Sequence, residues 1–198
     1  MNPVDSLADC LKIRLAERRS TIRTEWDARQ AAVLIPLYSE NNEWHLVYTR
    51  RTEQVEQHRG QVSFPGGLVE EHDESAHETA LREAEEEIGL KKEAVQILGT
   101  LDWLLTVTQF QILPFIGLIP WPYVFQPNPD EVARVFSVPL RWLMDPGNLE
   151  LRYRLPIPEG PEVPVYYFKP FEGEIIWGAT ARITLNLLDI LKPLMEDD

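Results

Sequence analysis

The sequence predicts a mixed α/β fold, a sheet layered between helices, and three observations lead there. Residues 3–28 and 179–192 carry apolar side chains at helical spacing. Between them, short β-type runs end at clusters of Asn, Pro and Gly. One central helix, residues 75–88, interrupts those runs. No segment repeats and no low-complexity tract intervenes. An N-terminal helical extension over residues 1–30 and one domain over residues 31–198 are therefore expected.

At the N-terminus Val4, Leu7, Leu11, Leu15, Ile22 and Trp26 share one helix face. Arg18 falls inside that face and Arg14 at its edge, which predicts partial burial with arginine stems along apolar surface. Residues 31–38 and 44–51 follow as strands, with Asn41-Asn42 as their turn. Residues 54–59 are polar and expected in a loop, and residues 61–64 form a short strand that stops at Pro65-Gly66-Gly67. The central helix opens with Ser75 and Glu78 in capping-box positions and closes on Gly89. Residues 95–106 and 112–119 read as strands, and Pro120, Pro122, Pro127 and Pro129 mark the loop after them. Residues 131–144 suit one or two short helices, or a strand between Val132 and Val138. Residues 149–155 and 163–169 suit a hairpin, and residues 175–178 a short strand. Ile183, Leu187, Ile190 and Leu191 stripe the final helix, which Pro193 stops or marks in its last turn.

With 198 residues, 44% of them hydrophobic, the chain can bury a core without staples. The net charge of -13 argues against a broad nucleic-acid interface. An acidic enzyme still takes a phosphorylated substrate when a bound cation offsets the charge. Cys10 stands alone, so no internal disulfide forms, which suits a reducing compartment. His45, His58, His72 and His77 make no zinc pattern. Neither a leader pattern nor a bilayer-length apolar run is present, so the cytoplasm is the expected location and no membrane partner is expected.

The chemistry concentrates in Gly66-Gly67-Leu68-Val69-Glu70-Glu71-His72-Asp73-Glu74-Ser75 and in Arg82-Glu83-Ala84-Glu85-Glu86-Glu87-Ile88-Gly89-Leu90. At about 100° per helical residue, Ala80, Leu81, Ala84 and Ile88 form an apolar arc, with Glu83, Glu86 and Glu87 on a second arc beside it. Three carboxylates this close repel one another, and a hard divalent cation removes that penalty. Magnesium is apt, because it bridges few carboxylates to substrate phosphates, polarises a phosphoryl oxygen and lowers the pKa of a bound water. Gly66 and Gly67 would let the chain turn between strand and helix, and Arg82 would brace the turn by holding a loop carboxylate. The bland alternative is a solvated acidic helix face, which the ordered glycines, Arg82-Glu83 and paired glutamates disfavour.

This stretch resembles a Nudix box, G-x5-E-x7-R-E-U-x-E-E-x-G-U with U bulky and apolar. The second half fits from Arg82 to Leu90, with Ala84 small for its place. Counting back from Arg82 puts the loop acid on Glu74, whereas counting forward from Gly67 puts it on Asp73. The loop is thus one residue longer than the general box, and the partner of Arg82 stays open between the two. Upstream, Thr49-Arg50-Arg51-Thr52 and Gly60-Gln61-Val62-Ser63-Phe64-Pro65-Gly66-Gly67 are similar to the signature of coenzyme A pyrophosphatases, a subgroup that shares the longer loop. Thr52 stands where that signature has Ser or Ala, and Glu56 where it has a basic residue. The segment from Ile176 to Arg182 is also similar to that subgroup.

The resemblance implies a Nudix-type α/β/α sandwich with a mixed β-sheet. It implies hydrolysis of a nucleoside diphosphate derivative, coenzyme A first, to 3',5'-ADP and 4'-phosphopantetheine. The alternatives are ADP-ribose, a dinucleotide or a nucleoside triphosphate as substrate, or a binding module without catalysis. By box position Glu83, Glu86 and Glu87 are the implied ligands of Mg2+, with Mn2+ as its substitute, and Arg82 completes the catalytic set. One of these glutamates, or Glu131 on a later loop, would activate water. Arg50, Arg51, His58 and Arg59 are candidates to face substrate phosphates, alongside Gly66 and Gly67. Trp177 could stack on a base but suits a core position, and Thr106 and Thr108 suit a plain turn. A homodimer is compatible with the chain, and the N-terminal helix could serve it.

Overall fold

A computed structural model describes residues 3–18, 28–53, 59–155 and 162–196. In chain order the elements are α1 (Pro3–Glu17), β1 (Arg29–Glu40), β2 (Glu43–Arg51), β3 (Val62–Ser63), β4 (Gly66–Leu68), α2 (Ala76–Ile88), β5 (Gln96–Thr100), β6 (Leu104–Leu105), β7 (Phe110–Leu118), β8 (Val132–Pro139), α3 (Leu140–Met144), β9 (Leu149–Arg154), β10 (Val163–Phe168) and α4 (Gly178–Glu196). Strands β1 to β8 make one mixed sheet around β1, which runs parallel to β7 from Arg29↔Phe110 to Leu37↔Leu118.

Residues of β1 alternate between two cores. Ala32, Leu34 and Tyr38 meet Ala80, Ala84 and Ile88 of α2. Ile35 and Leu37 belong to the other core, with Leu7, Leu11 and Leu15 of α1 and Leu187 and Leu191 of α4. Helices therefore cover both faces, which explains why β1 reads as a continuous apolar run rather than an alternating one. Among the described residues no helix is long and apolar enough to cross a membrane.

The other edge of β1 is shared. Ala31–Val33 pair with β4, while Leu37–Glu40 pair with β2. Near its C-terminal end β2 pairs with β3 at Thr49 and Arg50. The two long strands thus splay apart, and the β3–β4 segment fills the seam, pinned where Leu34 N–H donates to the Pro65 carbonyl at 2.9 Å. This seam delivers Gly66 and Gly67 to Glu87 and Glu83 on the C-terminal half of α2.

Several expectations are corrected by tertiary context. The strand expected to stop at Pro65-Gly66-Gly67 resumes as β4, because the edge that β2 leaves on β1 is open there. The strand expected over residues 95–106 is two short pieces, β5 and β6, each paired to β7. Residues 131–144 are a strand and then a helix, β8 and α3. Residues 175–178 form no strand; Trp177 makes only an isolated bridge to Tyr167. The first helix ends at Glu17 and β1 has begun by Arg29, so the expected span 3–28 is too long, while its residues 19–27 lie outside the described ones. Arg18 ion-pairs with Asp102 at 2.5 Å.

Candidate active site beside the central helix

Helix α2 is capped at both ends, and the caps set the site. Ser75 Oγ accepts from Glu78 N–H at 3.3 Å, while the Glu78 carboxylate reaches one residue further back, to Glu74 N–H at 2.8 Å. At the other end Gly89 adopts φ 67°, and Leu90 N–H closes on the Ala84 carbonyl. The proline-rich loop then takes up the last open carbonyls: Asn128 N–H donates to Glu87 O and Gln126 N–H to Ile88 O, both at 2.9 Å. That docking carries Glu131 to the last turn of α2.

Asp73 is the loop acid that closes on Arg82. The guanidinium grips both its oxygens, Nε to Oδ1 at 2.9 Å and Nη2 to Oδ2 at 3.0 Å. Asp73 also accepts from Glu70 N–H and Thr79 Oγ1, and its side chain is 1% exposed. The Arg82 hydrogen bonds, ahead of all else, hold its carboxyl far below the ordinary carboxylate range. Arg82 Nη1 continues to Glu83 Oε1 and Glu86 Oε2, each at 3.0 Å. Glu74 uses only its backbone N–H here.

Glu87 is 2% exposed. Its Oε1 lies 3.1 Å from Arg51 Nη1, and its Oε2 accepts from Gly66 N–H at 3.3 Å. Burial pushes its carboxyl up to about 8, and the nearby Glu83 and Glu131 charges add to that push against Arg51 and the Gly66 N–H. Burial also raises Glu83, which Arg82 pulls back down, while Glu86 and Glu131 raise it further. Glu86 is half-exposed, with only Arg82 engaging it. Gly67 makes room for this group: a Cβ there would stand 2.3 Å from Glu83 Oε1. At Gly66 a Cβ would stand 2.4 Å from the Ala32 carbonyl oxygen.

The structure separates the two adjacent arginines. Arg51 faces α2 and Glu87, whereas Arg50 is turned to Glu174, with its Nε 3.4 Å from the carboxylate. Strand alternation explains the split, and a register shift against β8 falls between the same two residues. Arg59 lies in the turn before β3, and His58 lies outside the described residues. Trp177 stacks on Tyr167 at 5.5 Å. Thr106 and Thr108 hydrogen-bond to each other, and Thr106 Oγ1 also caps Phe110 N–H, all within the turn between β6 and β7.

Two residues that sequence reasoning missed organise the later loop. Thr52 is buried; its N–H donates to Glu131 O at 2.8 Å and its hydroxyl to Asp130 O at 3.0 Å. Asn128 Nδ2 reaches Glu131 Oε1 at 3.3 Å. The Asn-Pro-Asp-Glu run before a strand was the available signal, since Asn and Asp favour turns that bond their own backbone.

Comparison with known proteins agrees with this arrangement. The sequence profile of the NUDIX domain matches residues 28–159. The chain is 40% identical to a Pectobacterium atrosepticum protein named Nudix hydrolase NudL, across 84% of this chain and 85% of that one. It is also 40% identical to a Yersinia enterocolitica protein of the same name, across 81% and 80%. Among solved structures, a MutT/nudix family protein from Enterococcus faecalis superposes with a TM-score of 0.54 at 13% identity, covering 96% of this chain and 70% of that one. The Nudix hydrolase RenU from M. smegmatis superposes at 0.51 with 22% identity, covering 61% and 76%. Profile, relatives and fold agree, and the chain belongs to the Nudix family of pyrophosphohydrolases.

Proposed function

We propose that the chain hydrolyses the pyrophosphate of coenzyme A or its derivatives, giving 3',5'-ADP and 4'-phosphopantetheine. One observation carries the reading. The segment similar to the coenzyme A pyrophosphatase signature is the same seam that grips the helix carboxylates, through Gly66 N–H and Arg51 on Glu87. Water adds its oxygen to one phosphorus, the bridging P–O bond breaks, and the bridging oxygen leaves with the other phosphate.

Nudix hydrolases generally use divalent metal ions. The donor set here fits one: carboxylate oxygens suit a hard cation, and burial together with neighbouring carboxylates raises both Glu83 and Glu87, a cost that a cation would relieve. Glu83 and Glu87 would hold Mg2+ or Mn2+, with Glu86 joining them. Arg51 and Arg82 now engage these oxygens and would have to share them with a bound cation, and among the described residues no three acidic side chains form a finished cage. When bound it polarises a phosphoryl oxygen and lowers the pKa of its water. The chain's own contribution is placement: Asp73 locks Arg82, Gly67 admits Glu83, Arg51 offers a cation to the phosphates, and Glu131 accepts the proton of the attacking water.

The reading is tested by product analysis over coenzyme A, dephospho-coenzyme A, ADP-ribose, a dinucleotide and a nucleoside triphosphate, with Mg2+, Mn2+ or chelator. The expected result is 3',5'-ADP from coenzyme A, with the highest kcat/KM of the panel and none with chelator. Faster cleavage of ADP-ribose or a dinucleotide would reject coenzyme A as the substrate. No cleavage of any member would leave a binding module. Glu83→Gln and Glu87→Gln should each lower kcat by about a hundredfold or more.

A further inference from the structure

The hairpin of β9 and β10 carries a cation–aromatic deck that the catalytic reading leaves unused. Its register places Glu150, Arg152, Arg154 and Tyr167 on one face. The Tyr167 and Trp177 rings stack at 5.5 Å and 6°. The Arg152 guanidinium lies 4.4 Å from the Tyr167 ring centre, and that of Arg154 lies 5.2 Å from Tyr167 and 4.8 Å from Trp177. Arg152 is held by Glu150 at 2.7 Å. Arg154 is exposed and has no acidic partner among the described residues.

A second observation points to a ligand. The Tyr167 hydroxyl is shut away from solvent yet has no hydrogen-bond partner among the described residues, in a side chain only 3% exposed. Buried hydroxyls are nearly always satisfied, so one left open on a ring that two guanidiniums cover suits an acceptor that arrives with a ligand. Aromatic faces hold arginines in place, and a fixed guanidinium fork matches phosphate oxygens. Arg154, exposed and without an acidic partner among the described residues, also makes a local attraction for anions on a chain of net charge -13.

The deck is tied to strands that form the catalytic seam. Glu174, three residues before Trp177, pairs with Arg50, the neighbour of Arg51. Thr180, three residues after it, donates to the Val62 carbonyl of β3 at 3.0 Å. We propose that Arg154, with Arg152 beside it and the Tyr167 hydroxyl as a further donor, forms an anion subsite that takes a phosphate of the substrate other than the pair being cleaved. The ligand class is a nucleotide carrying a phosphomonoester in addition to its diphosphate, and the inference rests on the substrate reading above.

The test compares binding of 3',5'-ADP with AMP, which differ by one phosphate, by calorimetry on the full chain with Mg2+. The wild type should prefer 3',5'-ADP by roughly tenfold or more, and Arg154→Ala should remove most of that preference. Tyr167→Phe should melt no lower than the wild type, since it deletes an unsatisfied hydroxyl, and should still weaken the preference. A purely structural role for the deck would instead lower melting and leave the preference intact. Equal affinity for the two nucleotides in the wild type, or full preference in both variants, would overturn the subsite. If coenzyme A is not cleaved but the preference depends on Arg154, the substrate reading fails and the subsite stands. If coenzyme A is cleaved and the preference ignores Arg154, the subsite alone fails.

Discussion

Asp73 and Glu74 are equal candidates by counting, and hydrogen bonding decides between them. Asp73 is fixed on three sides, by Arg82, Thr79 and the Glu70 N–H, and none of those contacts follows a period that a sequence shows. Gly67 is the complementary case, because its identity was readable but its reason was not. The expectation was a tight turn; the structure gives close approach, with a Cβ falling 2.5 Å from the Glu83 carboxyl carbon. Gly67→Ala should therefore push Glu83 aside without disturbing either core. Displacing a catalytic group by about 1 Å costs on the order of a hundredfold in rate, and kcat should fall by that much. Thermal unfolding should stay within about 1 kcal/mol of the wild type, as for a change away from the core. Unchanged kcat in a folded Gly67→Ala protein would remove Glu83 from the working site.

At the scale of elements, the long periodic ones were legible. Strands β1, β2 and β7 announce themselves as apolar runs, and α2 shows its Ser75 start, its Gly89 stop and its apolar arc of Ala80, Ala84 and Ile88. The short ones were not, because β4 and β6 exist only through the edges they find on β1 and β7. The loop between β7 and β8 was readable as a loop from its prolines, but its docking onto the end of α2 depends on carbonyls that no residue pattern reveals. Thr52 ties that loop to the end of β2. As a departure from the coenzyme A signature, Thr52 bears on loop placement more than on substrate contact, since its hydroxyl is spent on Asp130. Thr52→Val keeps the shape and removes the hydroxyl, leaving the Asp130 carbonyl without that donor. A loss of about 1 kcal/mol in stability is expected. With Glu131 less firmly placed, kcat should fall about tenfold while KM holds, because general-base contributions of this size act in the chemical step. Thr52→Ser should restore both. A fall in stability with kcat unchanged would confine Thr52 to folding and detach Glu131 from the reaction.

Over the whole molecule, two cores press on one sheet and force a carboxylate, Glu87, into the interior between α2 and the seam. Burial, with the Glu83 and Glu131 charges adding to it, outweighs Arg51 and the Gly66 N–H, so the Glu87 carboxyl rises to about 8. The sign of the consequence follows from linkage. In the unfolded chain Glu87 ionises near the ordinary 4.5, while the folded chain keeps its proton to about 8. Between those values the folded state binds the extra proton, so this group's contribution to stability is lost as pH climbs through the window and levels off above it. Glu87→Gln removes the ionisation. Its melting curve should match the wild type near pH 4 and exceed it increasingly toward pH 8, where the gap reaches on the order of 3 kcal/mol. Mg2+ narrows that gap, because a cation beside Glu87 favours the ionised form. At a hundred times its dissociation constant it should stabilise the wild type by about 2.7 kcal/mol at pH 8 and the variant by much less. Calorimetric melts of both proteins from pH 4 to 8, with and without Mg2+, separate the two effects. Parallel curves, with the same Mg2+ response in each, would mean that the carboxylate is neither strained by its burial nor relieved by the ion.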